Sequence, residues 1–473
     1  MAAPKFALSL AFALTLSGAQ AKDLPRVGPN ASAASLIAAR GAVQEPALEF
    51  VYKIEGADPR TITVDLAQDF SVVQWGSMLS ITDYALRRVI TLDDPSHSFQ
   101  NTSLYSAVES RHAEAFNRRM QRQMLGQAKP ADQGAMLAPF WIQSQLHVTA
   151  AEDGTPKTDR RADAGGTVHF LYEGEEVASY TPSTHALTKE ECAQLAKFLY
   201  FDAAIHPVII NDIVASARLP QRLSFKTVVL NKFSKAVWTL QSAVPVKAAF
   251  PLLAGSKVVP PKFDGAAAVI AGLIPSMQAA MAGQAPGRRS VEDYRAAIEA
   301  ALAAKKPFQA VVLGLELSEQ YGKQAAGCAK PQGCPSLKDI VAAANGDPRT
   351  QILFKALGDG SPQKSDAIKA LEAMKRNDLS NPYVLDEFLA DDLAQTDRID
   401  DALPLFANAI RGNPYLAGYY KDVGDLFRFQ FQPDRAWFCY DVGRALPGGP
   451  RAPVIADIND YESELAKNYP QFF

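Results

Sequence analysis

Two periods of apolar and polar residues divide this chain. Between residues 47 and 100, Ala47 to Glu55, Thr61 to Leu66, Ser71 to Trp75 and Ser80 to Leu92 alternate, or run as β-branched and aromatic stretches. That pattern predicts strands, because successive side chains of a strand point to opposite faces. Gly56-Ala-Asp-Pro59 and Asp93-Asp-Pro95 interrupt them with turn formers. A second strand pair, Thr167 to Tyr172 and Val177 to Tyr180, is joined by Glu173-Gly-Glu-Glu176, and a third block covers Leu223 to Leu230 and Ala236 to Leu240. Helices intervene. Leu104, Val108, Phe116, Met120 and Met124 recur at multiples of four over 103–125, and Thr188-Lys-Glu-Glu191 is a capping box opening a helix that runs to Phe201. Strands with intervening helices and no regular βαβ alternation predict an antiparallel-sheet α+β domain over 46–250.

From Ser290 the signals are helical throughout. Ser290-Val-Glu-Asp, Pro307 and Pro335 each open a helix, Gln351 to Leu357 forms another, and a last helix runs from about Pro453 to Asn468. Residues 251–288, punctuated by Pro260-Pro261 and Ala285-Pro286-Gly287, read as a linker with a short apolar helix. Residues 289–473 are the all-helical part. Inside it one pattern recurs at a step of about 34 residues. Tyr420, Val423, Gly424, Phe427, Ala436 and Tyr440 make one copy; Leu389, Ala390, Leu393, Ala402, Phe406 and Pro414 make the copy before it. Ala367, Leu371 and Met374, followed late by Pro382, are a worn third.

This spacing resembles the tetratricopeptide repeat, W-x2-L-G-x2-Y followed by A-x3-F, a helical hairpin that buries its apolar face only by stacking. Asp386 departs from the pattern, and so does Pro404, which predicts a kink unless the second helix of that copy starts as late as Asp400. The resemblance implies binding of a protein or peptide in a groove lined by the first helix of each hairpin. By position it places Glu387, Asp391, Lys421, Asp425, Arg428 and Phe429 there. Asp425 stands where a terminal-carboxylate clamp has Asn, so a mixed-charge groove is expected. Tyr419, Phe429, Phe431, Trp437 and Phe438 are surplus to the repeat, which leaves them as interface anchors or as packing.

Composition adds limits. Lys5, the apolar run Phe6 to Leu16 and Ala19-Gln-Ala21 read as a secretory signal over 1–21. The run is too short to span a membrane. An Ala-, Ser- and Pro-rich flexible leader is expected over 22–45. Export into a bacterial periplasm is the expectation that follows. In that setting Cys328 and Cys334, six residues apart in a turn-rich loop, are expected to form a local disulfide. Cys192 and Cys439 read as small buried hydrophobes. The formal charge of −3 provides no field for nucleic acid. G-x-S-x-G, H-E-x-x-H, Walker and Rossmann motifs are absent, so no catalytic, metal or cofactor residue is expected. Two alternatives stay open: a carrier whose sheet domain encloses a hydrophobic ligand near Ile81 to Leu92, Met120 and Met124, and a hydrolase with no linear motif.

Overall fold

A computed structural model describes residues 27–41, 44–56, 58–93, 96–126, 158–172, 174–203, 205–229, 232–321, 337–356, 361–374, 379–448 and 454–473. The expected signal at 1–21 and the Cys328–Cys334 pair lie outside these residues. The fold is α+β: a twelve-stranded sheet followed by a region of many helices.

The strands are β1 (Glu45–Glu55), β2 (Arg60–Ala67), β3 (Phe70–Trp75), β4 (Met78–Asp83), β5 (Arg88–Asp93), β6 (Ser98–Ser103), β7 (Thr158–Ala162), β8 (Val168–Tyr172), β9 (Glu175–Ala186), β10 (Arg218–Val229), β11 (Lys232–Ala248) and β12 (Lys257–Val259). Their order is β12-β6-β5-β4-β3-β2-β1-β11-β10-β9-β8-β7. Neighbours are antiparallel except β12, which lies parallel to β6. Two meanders therefore meet where β1 pairs with β11, with a register shift between Val51 and Tyr52. The expected Ser80–Leu92 run is two strands. Between them Asp83 accepts the Leu86 amide at 2.7 Å and Arg87 takes φ 58°, a turn made without Gly or Pro.

The helices are α1 (Ala33–Arg40), α2 (Leu104–Gly126), α3 (Lys189–Phe198), α4 (Pro207–Ala215), α5 (Ala268–Ala271), α6 (Ile274–Met281), α7 (Val291–Ala303), α8 (Pro307–Tyr321), α9 (Leu337–Ala343), α10 (Pro348–Ala356), α11 (Ser361–Ala373), α12 (Tyr383–Gln395), α13 (Ile399–Gly412), α14 (Ala417–Phe429), α15 (Pro433–Ala445) and α16 (Val454–Asn468). The Thr188–Glu191 capping box forms in both directions at the start of α3. α13 runs through Pro404, which sits beyond its first turn.

Two expected boundaries need correction. Residues 33–40, inside the stretch read as a flexible leader, are a helix. Ser32 caps it, Leu36 is fully buried, and Arg40 ion-pairs with Glu45, Asp69 and Asp83. Residues 251–288, read as a linker, are built into both halves: β12 extends the sheet, while Ile270 and Met277 are fully buried in the core. One apolar cluster runs from Phe50, Tyr52 and Trp238 of the sheet through Phe198 to Trp437 and Phe472. Sheet and helices thus share a core. Polar bonds reinforce the joint. Arg88 meets Asp441 at 2.5 Å and Asn101 at 2.7 Å, and Ser106 donates to Asp434 at 2.5 Å. Breaking the buried Arg88–Asp441 pair would strand the remaining charge without water.

Candidate functional site

The two repeat copies fold as hairpins α12–α13 and α14–α15. Their first helices begin at 383 and 417 and their second helices at 399 and 433, the same step in each case. Gly424 permits the second hairpin to close, because a Cβ there would overlap the Tyr440 ring. At 3.6 residues per turn, Gly418, Asp422, Asp425 and Phe429 fall on one face of α14, with Lys421 and Arg428 on its flank. That face changes character along its length.

Its first half carries a cluster of carboxylates. Glu319 of α8, Glu387 of α12 and Asp422 of α14 converge, with Asp391 and Asp425 beside them. Gly418 makes room, since any side chain there would run into the Glu319 carboxylate. Burial first, then Asp422 and Glu316, raises the Glu319 carboxyl to about 8. Burial, then Asp422, Glu319 and Asp391, holds Glu387 well above the ordinary range. Burial raises Asp422 to about 7 although Lys421 opposes it. A hydrogen bond joins the Glu387 and Asp422 side chains. Lys421 donates to Asp425 at 2.7 Å, and Tyr440 donates to the other Asp425 oxygen at 2.5 Å. The Tyr419 hydroxyl is fully buried and has no hydrogen-bond partner among the described residues; burial first, then the charges of Glu319 and Glu387, holds it well above the ordinary phenol range.

The second half is an aromatic cleft of about 270 Å³ between α2, the α14–α15 corner and α16. Phe429 is 75% exposed and Phe431 50%, with Phe116 and Met120 of α2 also exposed. Phe116 stacks on Phe431 at 6.2 Å. Arg428 lies over the Tyr461 ring, 4.4 Å from its centroid and 4.0 Å from Glu109, and no hydrogen bond engages its guanidinium among the described residues. The cleft floor is rigid. Glu109 accepts from Trp437 Nε1 at 2.5 Å and from the Tyr461 hydroxyl at 2.9 Å, and Trp437 stacks on Tyr105. Burial raises the Glu109 carboxyl despite the Tyr461 and Trp437 bonds and the nearby Arg428. His112 also lines the cleft, and its Nδ1 is bonded to the Tyr469 hydroxyl at 2.8 Å.

Phe431 has φ 56°. It closes α14 through the Gln432 amide to Phe427 carbonyl bond, at 2.9 Å, of a helix C-terminus that favours glycine. A bulky side chain there is strained, and such strain is most often retained where a site needs it.

The six residues expected in one groove are therefore distributed along a strip. Glu387, Asp391, Lys421 and Asp425 belong to the carboxylate end, and Arg428 and Phe429 to the aromatic end. Glu387 is buried at 9% exposure rather than open to solvent. The charge there is less mixed than expected, because Glu319 and Asp422 join it and Lys421 is already paired. Of the surplus aromatics, Tyr419, Trp437 and Phe438 are buried packing, whereas Phe429 and Phe431 are exposed. Glu319, Asp422, Phe116 and Tyr461 were missed because three of them come from other helices. Phe431 had a signal: it stands one repeat step after Asp397, at the same turn.

The sheet residues invoked for a hydrophobic-ligand cavity are packed: Ile81, Ile90 and Leu92 form a second cluster with Phe70 and Leu36 beneath α1. The residues lining the aromatic cleft include no Ser, Thr or Cys nucleophile. Cys192 and Cys439 are free and buried. Among the described residues no helix is long and apolar enough to cross a membrane, and no group of three or more His, Cys, Asp or Glu side chains could hold a metal ion. No protein-family model matches the chain, and no curated protein matches it.

Proposed function

We propose that this protein is an exported binding scaffold whose tetratricopeptide-like hairpins recognise a protein or peptide segment. The observation that supports it is the gathering of exposed Phe116, Phe429 and Phe431 around an arginine with free donors, on a floor locked by Trp437, Glu109 and Tyr461. Exposed aromatics beside an arginine on a rigid frame are the composition of a binding hot spot. Affinity comes from burying apolar side chains of the partner, and Arg428 supplies hydrogen bonds to its backbone carbonyls or carboxylates. The periplasm is the compartment the signal-like N-terminus suggests.

Selection of displayed random peptides on the full chain tests this reading. Recovered peptides should lose about a hundredfold to a thousandfold in affinity when Phe429 and Phe431 are replaced together by Ser and Asn, since hot-spot truncations cost about 2 kcal/mol each. Peptides that bind both forms equally would sink it.

A further inference from the structure

We propose that the aromatic cleft recognises a carboxylate side chain together with a large apolar one. The apolar side chain enters between the rings, and the Asp or Glu carboxylate takes the edge of the Arg428 guanidinium. This rests on the reading of the cleft as a peptide site and adds the ligand's sequence pattern to it. Arg428 is oriented by stacking. Its guanidinium carbon lies 4.4 Å from the Tyr461 ring centroid and 5.9 Å from that of Phe429. A guanidinium held by its face offers its donors at its edge, in the fork geometry that a carboxylate fills with two parallel bonds. The protein's own neighbouring acids are engaged elsewhere. Glu109 accepts from Trp437 Nε1 at 2.5 Å and from the Tyr461 hydroxyl at 2.9 Å, and its 4.0 Å approach to Arg428 Nε is beyond hydrogen-bond range. Asp425, one turn back on α14, is held by Lys421 at 2.7 Å and by Tyr440 at 2.5 Å. Among the described residues no hydrogen bond reaches the Nη groups of Arg428, which lines a cavity of about 270 Å³.

The cavity has room for one large side chain, and Phe116 on one wall with Phe429 and Phe431 on the other are exposed at its rim. A segment running through between the walls covers rings on both, so the carboxylate is assigned to a side chain rather than to a chain end. The spacing follows from strand geometry. Side chains two positions apart in an extended segment point the same way, about 7 Å apart. That is close to the 5.9 Å between the guanidinium carbon and the Phe429 ring. The recognised pattern is then Asp or Glu two positions from a large apolar residue. α2 and α16, which supply Phe116 and Tyr461, lie outside the repeat, so this pair of subsites is not a property of the hairpins alone.

The experiment uses the peptides selected on the full chain, synthesised with a fluorophore and titrated by anisotropy. Those that depend on Phe429 and Phe431 should share the acid-to-apolar spacing. Replacing the acid by its amide should weaken binding to the unaltered protein about tenfold or more. In Arg428→Gln the same replacement should have less than about a twofold effect, the signature of a direct pair. Arg428→Lys, which keeps the charge and loses the fork, should recover only part of the affinity. Glu109 keeps both of its donors in either variant, so both are expected to fold, and circular dichroism and Tm would be measured alongside. Three results would overturn the inference and leave the binding site standing: peptides that require Phe429 and Phe431 but lack the acid, an acid that matters equally in Arg428→Gln and the unaltered protein, or full affinity in Arg428→Lys. Peptides that lose affinity when their C-terminus is amidated, and not when the acid is replaced, would overturn it too, since the carboxylate would then be a chain end. Recovery of no peptide that depends on Phe429 and Phe431 would remove both.

Discussion

Hairpin α12–α13 and hairpin α14–α15 are built on one backbone plan and put to different uses. Their helices start one repeat step apart, both bury an Ala at the second-helix contact (Ala402 and Ala436), and both turn through a left-handed residue. Asp397 has φ 61° and Phe431 has φ 56°, and in each case the next amide closes the same bond at 2.9 Å. Around that shared turn the side chains diverge. The first hairpin has Ala394, Gln395 and Asp397 where the second has Arg428, Phe429 and Phe431. Asp tolerates the left-handed conformation through its short polar side chain, and Phe does not. Buried Leu403 is matched by Trp437, which also bonds Glu109 of α2. The repeat thus supplies a scaffold, and its departures from the repeat supply both the attachment to the sheet and the aromatic cleft.

If the second hairpin is the one welded to the sheet, Trp437→Ala should be the most damaging single change. A loss of about 3–5 kcal/mol is expected from truncating so large a buried side chain. Denaturant unfolding followed by near-ultraviolet and far-ultraviolet signals should then show sheet and helices separating. Leu403→Ala should cost about 2–4 kcal/mol, with the two signals still coincident. Separation in the Leu403 variant would erase the distinction.

The carboxylate cluster of α8, α12 and α14 should make stability pH-dependent. Glu319, Glu387 and Asp422 have folded-state values above their unfolded ones, so the native state binds more protons than the unfolded state. Their contribution is complete below the ordinary carboxylate range and is lost as pH rises toward about 8. Tm measured between about pH 5 and 8 should therefore fall, and Glu387→Gln combined with Glu319→Gln should flatten the slope. A rising Tm would contradict the protonated cluster.

The turns offer the finest test. Phe431→Asn should stabilise the protein by about 0.5–1 kcal/mol by relieving a strained bulky residue, while weakening peptide binding. Asp397→Asn should change stability by only a few tenths of a kcal/mol and leave binding unaltered. Equal stability effects at both turns would mean that Phe431 is not strained.

Much of the scaffold was legible because local signals and tertiary packing agree. The Thr188–Glu191 box, the Pro307 start of α8 and the repeat step each describe interactions within one or two turns of chain. Strands β6 and β7 were not legible, since Ser98–Ser103 and Thr158–Ala162 are polar and owe their pairing to neighbouring strands. α1 was hidden for a related reason: so short a helix is held by Leu36 and by Arg40 on three carboxylates from elsewhere in the chain. At the candidate site, Phe429 and Arg428 could be read from the repeat. Phe116 and Tyr461, beside them in the cleft, come from α2 and α16, which lie outside the hairpin on either side of it in the chain.

What the sequence determined by itself is periodicity: strands by twos, helices by their turn, hairpins by the repeat step. Those follow from backbone geometry and need no distant partner. Only the tertiary structure decided which aromatics are exposed, which carboxylates are gathered together, and that α2 of the sheet domain forms a wall of the cleft. Burial and electrostatic coupling depend on what arrives from far along the chain, and a residue's type does not say what will be packed against it.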